Sequence, residues 1–441
     1  MACFQSSSGK RRSSESPNWA EMQSDILDLI FKHLSFKDVL ASEAVCSNWF
    51  LAANSFIKSR RQQPHPIPHL MRPSEDQTKL SSECGYCKSE NMPEEFSESC
   101  CIGSSHGCLI FLDERASPLL FNPSLLVQIQ LPSINSFLGV ILVEKAEDGE
   151  YCIKYNYQKH PLRYMKNLRQ NFIHKGILSS DPCLSINNYR VVVICGHEKK
   201  LAFCKNGDSC WTEIHGKHQP YEDIICSSRN QLQLYALGNN AASIEIWNFD
   251  DNIIPTKRME MELCFPKKSM QFWKDFGDLY AARFYLVEST KGDVMLVVRF
   301  IGELVTEDDE AVHEEDLLTE EDTHPLVCPY KTLLFHVYKL DFDQKKWTEV
   351  DNLGDEALFL GGNHSISVSV SSSVLEYYCK GNSIYFTDDY WDRMNEDYLY
   401  GGHDMGVFSL EEDKVQPFYE ELRRRPVKFQ PPPCWINLSP W

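Results

Sequence analysis

The chain has 441 residues with 42% hydrophobic and 12% aromatic content, enough apolar area for more than one folded unit. Its formal net charge of −19 argues against general binding to nucleic acid, whose phosphates need clustered Lys and Arg, and against an anionic membrane surface. Eleven acidic residues fall between Glu303 and Asp322 with no Lys or Arg among them, so the rest of the surface is only mildly acidic. No stretch has the apolar length of a signal-peptide core or a membrane span, which predicts a protein of the nucleus or cytosol whose 17 cysteines are mostly buried thiols.

Residues 1–16 are Ser-rich with one basic cluster, Lys10-Arg11-Arg12, and are expected to be a disordered tail. Helical periodicity begins at Ser24, read as an N-cap, with Asp25 and Asp28 complementing the helix dipole. Ile26, Leu27, Ile30, Phe31 and Leu34 follow as an apolar stripe. Ser35-Phe36-Lys37-Asp38 has capping-box spacing and predicts a second helix carrying Val39, Leu40, Ala44 and Val45, and a third runs through Trp49 to Phe56. So few short helices bury too little area to be self-sufficient, so a partner is implied.

The ordered elements Ile26-Leu27, Ile30, Leu34, Asp38-Val39-Leu40 and Val45-Cys46-Ser47-Asn48-Trp49 resemble the F-box, placed here at residues 17–57. The resemblance implies a Skp-type adaptor, and through it a cullin, docked by Met22, Ile26, Leu27, Ile30, Leu34, Val39, Leu40, Val45 and Trp49. Met22-Gln23 stands where the family has Leu-Pro, which removes a preset φ at the helix entry and weakens the expected docking.

Pro64, Pro66, Pro68 and Pro73 end the helices, and 58–99 reads as a linker or variable loop. From residue 100 to 420 the chain alternates short β-branched or aromatic runs with Gly, Asn, Asp and Pro. Cys108–Leu112, Leu119–Asn122, Arg190–Cys195, Leu201–Cys204, Leu232–Leu237, Ile244–Phe249, Phe284–Glu288, Val294–Ile301, Thr332–Phe342, Ser383–Thr387 and Gly406–Leu410 read as strands. Such a run means a sandwich, barrel or propeller. The units Trp211-Thr212-Glu213-Ile214 and Trp347-Thr348-Glu349-Val350, each after a strand and a charged turn, resemble the outer hairpin of a kelch-type blade, where Trp seals one blade on the next. The predicted fold is therefore a small all-α F-box followed by a large all-β, propeller-like domain. It carries an acidic insert at 303–325 and ends in a Pro-rich tail at 421–441.

Further motifs widen the resemblance: Cys101-Ile102-Gly103-Ser104-Ser105-His106-Gly107, Phe121-Asn122-Pro123, Tyr221-Glu222-Asp223-Ile224, Asn363-His364-Ser365, Asn382 to Asp389, Gly406-Val407-Phe408 and Pro431 to Ile436. With them the chain is similar to plant F-box proteins that carry a C-terminal kelch-like or β-propeller domain of unknown function. That implies a non-enzymatic substrate receptor of a Skp–cullin–F-box ubiquitin ligase that brings a protein target to ubiquitination. The alternatives are an F-box scaffold that does not direct degradation, and a propeller enzyme.

Gly103-Ser104-Ser105-His106-Gly107 has the G-x-S-x-G pattern of a hydrolase, but a strand rather than a helix is predicted after it. Cys84, Cys87, Cys100 and Cys101 offer four thiolates, yet adjacent cysteines seldom reach one metal, and the acidic run lacks EF-hand spacing. No cofactor or metal is expected. The loop Asp388-Asp389-Tyr390-Trp391 mixes carboxylates with aromatics just past a strand, where propellers present binding loops, and is the candidate target-binding site.

Overall fold

The computed structural model describes residues 18–34, 36–61, 67–72, 89–91, 94–97, 99–113, 115–123, 125–145, 151–157, 160–165, 172–182, 189–227, 233–249, 254–313, 328–370, 379–396, 401–419, 428–429 and 431–437. The basic cluster at 10–12, Ser35, Cys84, Cys87 and the second half of the acidic insert lie outside them. The chain divides into two compact units, the first within residues 1–63 and the second spanning Pro64–Ser439.

The first unit holds the three expected helices, α1 (Ser24–Phe31), α2 (Phe36–Ser42) and α3 (Ser47–Arg61). Leu27, Phe31, Val39, Ala53 and Phe56 form its buried centre, where the Phe31 ring meets Trp49 edge-on at 5.9 Å. Ser24 is the first helical residue rather than the cap; Gln23 takes the cap position without a side-chain hydrogen bond. Asn48 Nδ2 donates to the Met22 carbonyl at 2.7 Å and Trp49 Nε1 donates to the Trp19 carbonyl at 2.8 Å. The start of α3 thus clasps the entry to α1.

The second unit is a β-propeller of five blades. Blade 1 comprises Cys100–Ser105, Cys108–Leu112, Pro118–Asn122 and Val127–Gln130; blade 2 comprises Ile173–Leu178, Arg190–Cys195, Lys200–Lys205 and Thr212–Ile214. Blade 3 follows with Tyr221–Cys226, Gln233–Gly238, Ser243–Asn248 and Thr256–Glu262, and blade 4 with Tyr280–Glu288, Val294–Val305, Cys328–Asp341 and Lys346–Glu349. Each of these is an antiparallel meander. Tight turns with positive φ make the hairpins, as at His106 (φ 51°) and Gly107 (φ 71°) between the first two strands of blade 1. Blade 5 departs from the pattern: Ser365–Ser369 lies innermost, followed by Glu356–Leu360, Ser383–Phe386, Gly406–Ser409 and Lys414–Pro417. Its second and third strands pair in parallel, Leu358 opposite Ile384.

Period-2 alternation sends one strand's side chains into two interblade cores. Val191 and Val193 of blade 2 join Ile102, Ile110 and Leu120 of blade 1, while Val192 and Ile194 join Tyr221, Ile224 and Leu234 of blade 3. Leu296 and Val298 of blade 4 face blade 3, and Met295 and Val297 face blade 5. The second strand of a blade is therefore mostly apolar on both faces, as in Arg190–Cys195, which is buried throughout. The innermost strands approach so closely that a Cβ on Gly103 would sit 2.2 Å from the Gly176 carbonyl oxygen.

The ring closes through a three-stranded sheet, Ser89–Asn91, His69–Arg72 and Cys434–Ile436. His69–Arg72 lies in the stretch expected to be a linker and Cys434–Ile436 in the expected tail. They pair antiparallel, Leu70 opposite Trp435. Leu70 and Trp435 pack on Phe359, Tyr385 and Phe418 of blade 5, and Met71, Cys434 and Ile436 pack on Leu109, Phe111 and Phe121 of blade 1. A further sheet, Val140–Lys145, Tyr151–Tyr157 and His160–Met165, is inserted between blades 1 and 2 in sequence, and a helix, α4 (Lys267–Phe276), between blades 3 and 4. The acidic insert connects two strands as expected, but its first residues are part of the blade: Val305 is buried.

Candidate functional site

Two features can carry recognition, and they lie on different units. On the helical unit the expected docking residues separate by burial. Leu27 and Val39 belong to its interior, Met22, Ile30, Leu34, Leu40 and Trp49 are half-buried, and Ile26 and Val45 are exposed. Trp19, Leu29, Phe50 and Leu51, which the sequence reading did not single out, are exposed as well. An apolar set of this size in a three-helix unit is the surface that a partner would cover. The i, i+3 spacing of Ile26 and Leu29 was the available signal.

On the propeller, a cavity of about 80 Å³ opens at the end of the ring where the first strands of blades 2, 3 and 4 begin. Its walls bring together His174 and Lys175 of blade 2, Tyr221 and Asp223 of blade 3, Arg283 and Tyr285 of blade 4, and Gly362, Asp389 and Trp391 of blade 5. Lys175 donates to Asp223 at 2.5 Å, and the other Asp223 oxygen accepts from the Leu286 N–H at 2.7 Å, so one buried chain of contacts ties three blades. Burial pushes the Asp223 carboxyl above its ordinary pKa, with Lys175 opposing.

The loop expected to face solvent divides. Asp388 and Asp389 are buried, and Asp389 serves a guanidinium: Arg299 is fully buried in blade 4 and needs paired anions. Arg299 Nη1 donates to Asp389 Oδ1 at 3.1 Å, Nη2 to Asp404 Oδ2 at 2.8 Å, and Nε to Thr332 Oγ1 at 2.6 Å. Its guanidinium also lies over the Phe386 ring at 4.7 Å. Asp388 accepts from Tyr330 Oη at 2.7 Å, and burial raises its pKa. Tyr390 and Trp391 are half-buried; Tyr390 Oη donates to Glu303 at 2.7 Å. Trp391 opens the short helix α5 (Trp391–Glu396) and lies on the cavity wall.

The two repeat tryptophans do seal blades. Trp211 Nε1 donates to the Pro132 carbonyl at the end of blade 1 at 2.8 Å, and Trp347 Nε1 to the Ala241 carbonyl of blade 3 at 3.0 Å. Trp435 of the closing sheet does the same to Leu360 of blade 5 at 3.0 Å.

Ser105 sits in a strand–turn–strand hairpin, which is not a nucleophile elbow. Cys100 and Cys101 point into different cores and do not share a metal. His218, Glu245 and Glu260 hold ligand atoms within 4.8 Å of one another. Lys257 already bonds both carboxylates, at 3.2 and 2.5 Å, so an ammonium stands where a cation would.

Comparison with known proteins agrees with this architecture. The chain is 25% identical over 95% of its length, and 96% of the relative's, to the F-box protein SKIP23 of Arabidopsis thaliana. It is 23% identical to the Probable F-box protein At4g22060 of the same plant, covering 93% and 94% of the two chains. Among solved structures, the N-terminal domain of Nup159 covers 65% of this chain and 70% of its own, at 11% identity and a TM-score of 0.26, too distant to support an argument. The profile of the KIB1-4 beta-propeller matches residues 79–409. This chain, whose short helical unit precedes the propeller in sequence, therefore belongs to the KIB1-4 beta-propeller family.

Proposed function

We propose that the protein is the target-recognising subunit of a Skp–cullin–F-box ubiquitin ligase, acting in the nucleus or cytosol. The observation that carries this reading is the exposed apolar set Trp19, Ile26, Leu29, Val45, Phe50 and Leu51 on a unit of three short helices. The F-box names of its relatives support it. The adaptor covers that surface and links the chain to a cullin, and the channel-end cavity of the propeller, with Trp391 on its wall, is the side offered to a protein target. The chain itself makes no bond; it raises the effective concentration of the target near a ubiquitin-carrying enzyme.

The test is co-purification of the full chain with a Skp-type adaptor and cullin. Ile26→Asp with Leu29→Asp changes only exposed positions, so it should remove adaptor recovery and leave the melting of the propeller unchanged. Undiminished adaptor recovery overturns the reading. Proteins that accumulate on the chain only when the cullin is inhibited are its targets.

A further inference from the structure

Asp389 uses one carboxylate oxygen and leaves the other over. Its Oδ1 accepts from Tyr285 Oη at 2.9 Å and from Arg299 Nη1 at 3.1 Å, and Arg283 Nε stands 3.9 Å from it. Its Oδ2 has no donor among the described residues, although the side chain is only 4% exposed and lies on the wall of the channel-end cavity. A buried acceptor of this kind is unfavourable unless something that enters the cavity satisfies it. On the same wall the indole N–H of Trp391 has no acceptor among the described residues. The two complementary groups flank one spot, since a Cβ on Gly362 would lie 3.6 Å from Asp389 Oδ2 and 3.5 Å from Trp391 Nε1, and a glycine there keeps the spot open. The loop that carries them is held in place: the Asp389 carbonyl accepts from Arg283 Nη2 at 2.6 Å and from the Trp391 backbone N–H at 2.9 Å. Acceptor and donor are therefore set before any ligand arrives.

An acceptor beside a donor selects against a full charge of either sign. An oxyanion would meet the Asp389 Oδ2, and an ammonium or guanidinium would meet Arg283 and Arg299, which already neutralise Asp389. A neutral amide carries an N–H and a C=O side by side, and each reaches its partner at roughly 3 Å, which covers the separation those two distances from Gly362 allow. A space of about 80 Å³ is several times what one water needs. We infer that this cavity takes an amide of the bound target, an Asn or Gln carboxamide or a main-chain peptide group, whose N–H donates to Asp389 Oδ2 and whose carbonyl accepts from Trp391 Nε1. The inference rests on reading this end of the ring as the target-binding side.

Benzamide, benzoate and benzamidinium share a shape and differ in charge, and N-methylbenzamide stands for a peptide group. The four are titrated into the full-length protein and followed by broadening of their own NMR lines. At least one amide should bind, about tenfold more tightly than either ion. Trp391→Phe keeps a ring and removes the N–H, and should weaken the bound amide about fivefold. Gly362→Ala puts a methyl on the spot between the two groups and should abolish binding. Binding of benzamide alone assigns the cavity to Asn and Gln side chains, and binding of N-methylbenzamide extends it to main-chain peptide groups. Failure of both amides overturns the inference, as does benzoate or benzamidinium binding as tightly as they do, or wild-type amide affinity in Trp391→Phe at an unchanged melting temperature. Because a Cβ on Gly362 would also lie 3.0 Å from the Asp389 Cβ, Trp391→Phe carries the test if Gly362→Ala does not fold. Each of these negative results leaves adaptor recovery untouched, so it does not bear on the receptor reading.

Discussion

Gln23 has a backbone φ of −65°, the angle a proline ring imposes. Met22 before it is extended, with φ −65° and ψ 136°, which a following proline tolerates. The Gln23 N–H has no acceptor among the described residues. Gln23→Pro should therefore stabilise the helical unit by about 0.4–1 kcal/mol through the unfolded chain, seen as a higher melting temperature. Glu245 supplies a pH dependence. Burial alone would raise its pKa, but hydrogen bonds from Tyr221, the Lys217 N–H and Lys257 hold it below the ordinary value. The folded state then binds fewer protons than the unfolded chain between the two values. Its contribution is present above the ordinary carboxylate pKa and is lost as pH falls toward the folded one. Glu245→Gln should flatten the decline of melting temperature as the pH falls below the ordinary carboxylate range. The tryptophans separate stability from recognition: Trp347→Ala removes a buried interblade seal and should cost about 3–5 kcal/mol, whereas Trp391→Ala, half-buried at the cavity, should lower target recovery more than melting temperature.

At the scale of elements, the closing sheet is the joint on which the ring depends. Removing residues 431–441 deletes the strand opposite Leu70 and the Trp435 side chain, fully buried against blade 5. A large fall in melting temperature is expected, and a small one would show that the five blades hold without it. The strands most legible in the sequence were the second and third of blades 1 to 4, such as Arg190–Cys195 and Ser243–Asn248, whose largely apolar runs reflect burial on both sides. The innermost strands were mostly not legible, blade 4's Tyr280–Glu288, read at Phe284–Glu288, being the exception. Cys100–Ser105 and Ser365–Ser369 are rich in small and polar residues, because neighbouring backbones crowd the axis at Gly103 and Gly176. His69–Arg72 was missed for another reason: it is four residues long, lies among prolines, and its partner lies far away at Cys434. The cavity was half legible. Trp391 stood out by its neighbours in sequence, whereas Lys175 and Arg299 have partners on other blades and leave no local pattern.

On the proposed function the molecule separates docking from recognition, because its two compact units have their own buried centres. A chain shortened to residues 64–441 should melt at the temperature of the full-length propeller and recover no adaptor, as checked by calorimetry and co-purification. A lowered melting temperature would mean that the helices contribute to the stability of the propeller. The pairing of Leu70 with Trp435 also sets the timetable of synthesis. The helices emerge first from the ribosome, while the strand at His69–Arg72 waits for its mate on the order of 20–70 s at ordinary translation speeds. A message cut short before codon 434 would then release a polypeptide that still engages the adaptor but never completes its ring. On the proposed function such a product is a decoy that occupies the ligase, so late nonsense alleles should act dominantly where early ones are silent.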